Sequence, residues 1–489
     1  MPSIPALVTA AVVFVACRSV PLPSDPLTDA QDQVIADAFS KAVRVHRPLI
    51  PLALAAALPL PAQVLNEGQL SVTIEGHLGA VKTRDGSWIV QVPGNGSARI
   101  VAYSTTSGQV GAAMNPRGYN QTNIHTQQLV LPRAIATCDS LVVTSTGSGP
   151  RDSYWAYPGR SVVDEAMAVV FVPYAATPGL LRPPAIGDGY LPRWFRSQPI
   201  PEAMINMAKL PSLINVDALP VNWSAWGAAK PDLAYLHALL RPMGGEFYDG
   251  WNTDTRTPDN QHPGYGTAYA SVVSQALVQL CSTATTQAKQ PLAIAVVQRG
   301  LDLVGAFCDG RANYPLGGHM QGRKALVVMC GHLLGIEPFA DPTTYIGDRF
   351  QEDGYFLASP AAWWFGAGWI AGWSFQPEAP FNGAKLADPP STWGSVQAPL
   401  HDTWAWMVAG YLQQGVGSQI GTGLAMRLMG LEREMGHGLV QMINQWMDGP
   451  PAAANAQLLA VGITLPWGTD YALVKGVGFC AAAWNAMGF

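Results

Sequence analysis

The apolar period of this chain changes once, and the change narrows the folds open to it. Between about Gln69 and Pro173, apolar and polar residues alternate in short runs: LSVTIE, GAVKT, SWIVQV, ARIVAYS, QLVLP, SLVVTS and AMAVVFVP. The runs are rich in β-branched residues and separated by Gly, Asn, Ser and Asp, as strands joined by turns are. Their number and spacing predict an antiparallel β-sandwich. From Pro231 onward the period lengthens to that of helices, over Pro231–Leu240, Tyr265–Ser282, Pro291–Phe307, His319–Leu334, Thr403–Gln413, Ser418–Leu431, His437–Trp446 and Phe479–Met487. No repeat of fixed length relates these helices, although helix–loop–helix units can stack into a closed ring without one.

The segments around these two halves follow from proline and charge. Tyr174 to Pro220 holds Pro178, Pro183, Pro184, Pro192, Pro199, Pro201 and Pro211, and reads as a linker lying against a domain surface. Near the amino terminus, Asp25 to Val43 has the pattern of one amphipathic helix. Residues 5–16 resemble a signal-peptide apolar core, yet no Lys or Arg precedes them, which argues against a cleaved leader. The run Pro48 to Ala62 is interrupted by Pro51, Pro59 and Pro61 and is too short to cross a bilayer, so no membrane span is expected. The expected division is an arm with an amphipathic helix (1–66), a β-sandwich (67–175), a proline-rich linker (176–228) and a helical domain (229–489).

Composition excludes several classes of function. The 489 residues carry a net charge of −5 and no basic run, so there is no electrostatic footprint for nucleic acid. Charged residues are only 12% and hydrophobic ones 48%, which suits a packed, loop-rich protein and not a disordered one. Cys17, Cys138, Cys281, Cys308, Cys330 and Cys480 show no metal-ligand spacing and are expected as free thiols, Cys281–Cys308 being the one pair to check for a bridge. GVGSQIG has the wrong spacing for a dinucleotide fingerprint, and no nucleotide or zinc motif is present. Neither a cofactor nor a metal is expected.

Polar residues with chemical potential concentrate between Asp254 and Gly335. One loop offers Asp254, Arg256, Asp259, His262 and Tyr265, of which His262 or Tyr265 could transfer a proton near neutral pH. A second, GGHMQGRK, places His319, Arg323 and Lys324 at a helix start. His319 and Arg323 are four residues apart and share a face. Cationic groups beside the positive end of a helix dipole suit an anionic ligand. His332, in the apolar run VVMCGHLLG, reads as a satisfied core histidine. Glu352 and Asp353 are adjacent carboxylates in a turn, either solvated or part of a binding rim. Trp363, Trp364 and Trp393 belong to a tryptophan-rich stretch that suits either a helical core or a cleft whose flat faces lie against sugar rings, and His401 and Asp402 sit at a helix entrance beside it.

Taken in order, His262-Pro263-Gly264-Tyr265-Gly266, Lys289-Gln290-Pro291-Leu292-Ala293-Ile294, Gly300-Leu301-Asp302, Gly317-Gly318-His319 and Gly322-Arg323-Lys324 resemble the organisation of (α/α)-toroid bacterial and phage proteins related to polysaccharide lyases. The resemblance covers about residues 230–450 and leaves out the β-rich half. It implies an α+β multidomain chain, the β-sandwich followed by an (α/α) toroid of helical hairpins, with catalytic groups on loops at the wide end of the ring. A complete Asn/His/Tyr/Arg lyase set does not align.

The function this implies is a lyase cleaving an acidic polysaccharide by β-elimination. Arg323 and Lys324, with His319, would neutralise a uronate carboxylate, while His262 and Tyr265 move the protons. Asp254, Arg256, Glu352, Asp353, Trp363, Trp364, Trp393 and His401 would bind the chain. Two alternatives stand beside it. One is glycoside hydrolysis by a carboxylate pair drawn from Asp254, Asp259, Glu352, Asp353 and Asp402. The other is a non-catalytic, glycan-binding virion or cell-surface structural protein, part of a homo-oligomer or larger assembly. Each places the chain outside the cell, on its surface or on a virion.

Overall fold

The computed structural model describes residues 29–46, 61–94, 97–106, 108–116, 127–146, 163–219, 231–240, 267–308, 321–346, 350–354, 417–436 and 478–489, with isolated positions between 439 and 447. The expected helices at Thr403–Gln413 and, for the most part, His437–Trp446 lie outside them, as do Cys17 and the apolar runs near the amino terminus.

The chain is a mixed α and β protein with several sheets. Helix α1 (Asp29–His46) turns Ile35, Ala36, Phe39 and Val43 inward, the spacing of one helical face. The Phe39 ring meets Trp194 and Phe195 edge-on at 5.4 and 4.8 Å, so α1 is part of the core and not a detached arm.

The strands are β1 (Gln63–Glu67), β2 (Leu70–Glu75), β3 (Gly79–Lys82), β4 (Trp88–Gln91), β5 (Arg99–Thr105), β6 (Val110–Met114), β7 (Arg133–Ala134), β8 (Ser140–Thr146) and β9 (Val163–Val172). They form a four-stranded sheet in the order β1-β2-β5-β7 and a five-stranded one in the order β3-β4-β9-β8-β6. Pairing is antiparallel as expected, except that β4 runs parallel to β9. One expected strand is absent: QLVLP is irregular, with Val130 85% exposed.

The two sheets differ in what their faces meet. In β2, Leu70, Val72 and Ile74 are buried while Ser71, Thr73 and Glu75 are half-exposed. The five-stranded sheet is covered twice. Leu141, Val143, Met167, Val169 and Phe171 join the four-stranded sheet in one apolar cluster, while Val142, Ala166, Ala168, Val170 and Val172 join the helices in another. That double burial is why β9 reads as an almost unbroken apolar run.

The proline-rich segment is not a surface linker. It contains the ribbon β10 (Leu180–Leu181) with β11 (Ile200–Pro201) and the helix α2 (Tyr190–Arg196). Leu191, Phe195, Arg182 and Arg196 within it are at most 1% exposed. Prolines keep such a segment out of long ladders, but the side chains between them pin it inside. The Arg182 guanidinium donates to both Asp302 carboxylate oxygens at 2.8 and 2.5 Å and lies 3.5 Å from Asp85. Asp302 also accepts the Ala185 N–H, and the Gln298 side chain bonds both the N–H and the carbonyl of Arg182. One apolar core therefore runs from α1 through the five-stranded sheet and this segment into the helices.

The helices are α3 (Leu233–Leu240), α4 (Thr267–Leu280), α5 (Thr286–Cys308), α6 (Arg323–Leu334), the short α7 (Glu337–Ala340) and α8 (Pro342–Ile346), α9 (Ile420–Met429), α10 (Glu432–Met435) and α11 (Phe479–Ala486). Helix α5 starts earlier than its proline suggests, because the Thr285 hydroxyl caps it by accepting the Ala288 N–H. Gly300 lets α5 cross α6 closely, since a Cβ there would lie 2.5 Å from the Leu326 carbonyl oxygen. Among the described residues α5 alone is long and apolar enough to cross a membrane, and 94% of that stretch is buried within the protein. Cys281 and Cys308 are both buried thiols, and no bridge joins them.

Candidate functional site at the first turn of α6

Of the site residues that sequence analysis proposed, the structure describes Arg323, Lys324, Glu352 and Asp353, and they meet at the start of α6. Gly322 makes this possible. Its φ of +87° is open to glycine at little cost, and a Cβ there would lie 2.7 Å from the Cα of Ala270 on α4. The first turn of α6 is therefore pressed inward against α4.

Glu352 sits on a 3₁₀ turn, Gln351–Gly354, and reaches this helix end. The Gly322 N–H donates to its Oε1 at 2.5 Å, a carboxyl meeting the positive end of a helix dipole. Glu352 is only 1% exposed, and its Oε2 is buried with no hydrogen-bond partner among the described residues. Burial foremost, then the charge of Asp353, pushes this carboxyl up to about 7 against the pull of the backbone N–H groups and Lys324. At neutral pH it is poised between its protonated and ionised forms.

Asp353 is bonded on both oxygens. Its Oδ1 pairs with Lys324 Nζ at 2.5 Å and accepts the Thr343 hydroxyl at 2.8 Å. Its Oδ2 accepts the Phe350 N–H at 2.9 Å. Lys324 also donates to Thr343 Oγ1 at 2.7 Å. The Arg323 guanidinium lies over the Tyr269 ring, 4.8 Å from its centroid, and donates to the Gln321 carbonyl at 3.2 Å. Gln419 in turn donates to the Gln321 side chain at 3.4 Å.

This geometry corrects two expectations. Arg323 and Lys324 are 0% and 1% exposed, so the helix start does not hold them out to solvent as an open cationic pair, and Lys324 is neutralised by Asp353. Glu352 and Asp353 are not solvated either, their side chains being 1% and 2% exposed. Gly322 lets the first turn of α6 pack inward, and the turn carrying Glu352 and Asp353 is bonded to it. His332 departs from expectation as well. It is half-buried at the far end of α6, its Nε2 has no partner among the described residues, and burial and Lys209 hold its proton affinity below the ordinary histidine value.

His262, Tyr265, His319, Asp254, Arg256, Trp363, Trp364, Trp393 and His401 lie outside the described residues. Thr343, Gln321 and Gln419 escaped sequence analysis, and Tyr269 fell there only inside the helical run Tyr265–Ser282. None carries a spacing signal, because each acts across a fold contact. Among the described residues no three His, Cys, Asp or Glu side chains converge as metal ligands. No family model, curated protein or solved structure matches this chain.

Proposed function

We propose that this chain is a carbohydrate-active enzyme that breaks a polysaccharide by acid–base chemistry, with Glu352 as the proton-transfer group. On this proposal the two sheets form a sandwich, and the helices form part of an (α/α) toroid. The observation that carries it is the Glu352 carboxyl: buried, held by the Gly322 N–H on one oxygen, open on the other among the described residues, and titrating near neutrality. A carboxylic acid that keeps its proton near pH 7 is what protonation of a glycosidic oxygen requires. The ion-paired Lys324 and ring-stacked Arg323 weigh against those two as the clamp on a uronate, which favours hydrolysis over β-elimination.

The test is incubation with neutral and uronate-containing polysaccharides while following both reducing ends and the ultraviolet absorbance of unsaturated products. Reducing-end release without that absorbance, lost about a hundredfold or more in Glu352→Gln, is expected. Replacing Asp254, Asp259 and Asp402 in turn would then locate the partner carboxylate. Ultraviolet absorbance that survives Glu352→Gln would return the chain to the lyase class.

A non-catalytic, glycan-binding role is favoured by a different observation: Arg323, Lys324 and Glu352 are all buried and engaged in protein contacts. Glycan binding without bond cleavage on any polymer is the outcome that selects it.

A further inference from the structure

Glu352 is held in place by its neighbours as much as by its own bond to Gly322. The turn that carries it is fixed by Asp353, whose Oδ2 accepts the Phe350 N–H at 2.9 Å at the start of that turn. The other oxygen of Asp353 is tied to Lys324, on the first turn of α6, and to Thr343, on α8. Lys324 and Thr343 are themselves bonded at 2.7 Å. Three elements distant in sequence thus converge on one carboxylate, which adjoins Glu352 in the chain.

We propose that Lys324, Thr343 and Asp353 are positioning residues: they clamp the Glu352 turn against the first turn of α6 and set the charge balance around its carboxyl. Lys324, expected from the sequence to bind substrate, acts instead through Glu352, and Thr343 joins it. Among the described residues, the charged groups acting on Glu352 are these two opposite ones, Asp353 and Lys324. The proposal rests on Glu352 as the proton-transfer group, but its test needs no activity.

The experiment follows the Glu352 titration by nuclear magnetic resonance in full-length protein labelled at the glutamate side-chain carboxyl carbon, with Glu352→Gln identifying the signal. Lys324→Met removes a cation that favours the ionised form, so the midpoint is expected to rise by about one to two pH units. Simple loosening of the turn would hydrate the carboxyl and lower the midpoint, so a fall or no change overturns the proposal. Thr343→Val keeps every charge and covers the case in which Lys324→Met does not fold. It is expected to speed exchange of the Gly322 amide proton by roughly three- to tenfold, the loss of one hydrogen bond, and unchanged exchange overturns the clamp. If Glu352→Gln retains full activity on a polysaccharide while these shifts appear, the catalytic proposal fails and the clamp stands.

Discussion

Two clusters of buried charge share the helix-side core of this protein, and they resolve their burial differently. At the seam between the proline-rich segment and α5, Arg182 and Asp302 meet through two parallel bonds, with Asp85 3.5 Å away and the Ala185 N–H donating to Asp302. At the start of α6, Lys324 is paired with one oxygen of Asp353, yet Glu352 beside them keeps one oxygen without a partner among the described residues. The paired side chains are at most 2% exposed in both places. On the proposed function, the difference is what separates a structural ion pair from a working site. A closed ion pair holds elements together, whereas a carboxyl left incompletely bonded has its proton affinity moved toward neutrality, where it can exchange a proton.

The largest effect expected from this contrast belongs to the seam. Asp302→Ala strands the Arg182 guanidinium at 0% exposure and removes the acceptor of Ala185 N–H. Chemical denaturation should show a loss of about 3–5 kcal/mol. A loss below about 1 kcal/mol would mean that the seam is no clasp.

Glu352 should reveal itself in the pH dependence of stability. Its folded carboxyl is raised from the ordinary 4.5 to about 7, so the folded protein binds the proton more tightly than the unfolded chain does. Its stabilising effect is fully present below about pH 4.5 and is lost as pH rises to 7. That loss amounts to about 3 kcal/mol if the shift is entire. Glu352→Gln should flatten this part of the denaturation profile, and an unaltered slope would place the carboxyl with ordinary surface acids.

Gly322→Ala tests the packing that turns the α6 entrance inward. A side chain at φ +87° and a Cβ 2.7 Å from Ala270 Cα should cost about 1–3 kcal/mol in thermal or denaturant unfolding. The smallest effect is expected where the pairing is wet. Arg433, 69% exposed and paired with Glu434 and Asp341, should lose less than about 1 kcal/mol as Arg433→Ala, and less still at high salt.

Much of the fold was legible. Helices α4, α5, α6 and α11 follow from apolar spacing to within a few residues, apart from the early start of α5 at its Thr285 cap. Strands β2, β5, β8 and β9 follow from their alternation or their β-branched runs. The parallel pairing of β4 with β9 was not, because register between distant strands leaves no local pattern. QLVLP misled for the converse reason: its composition suits a strand, but irregular backbone leaves Val130 in solvent. At the candidate site the GRK and QEDG motifs were visible separately. Their union was not, since Lys324 and Asp353 are 29 residues apart and Thr343, which joins them, belongs to no motif.

Sequence by itself determined where the longer helices and strands β2, β5, β8 and β9 form, because apolar period, caps and glycines act over a few residues. It also determined which positions near α6 carry charge. Only the tertiary structure decided that those charges point inward, that a proline-rich stretch becomes core, and that of two neighbouring carboxyls one is neutralised while the other keeps its proton near neutrality. Those outcomes depend on the distance between groups remote in the chain and on the water excluded around them. Both are set only when the elements pack.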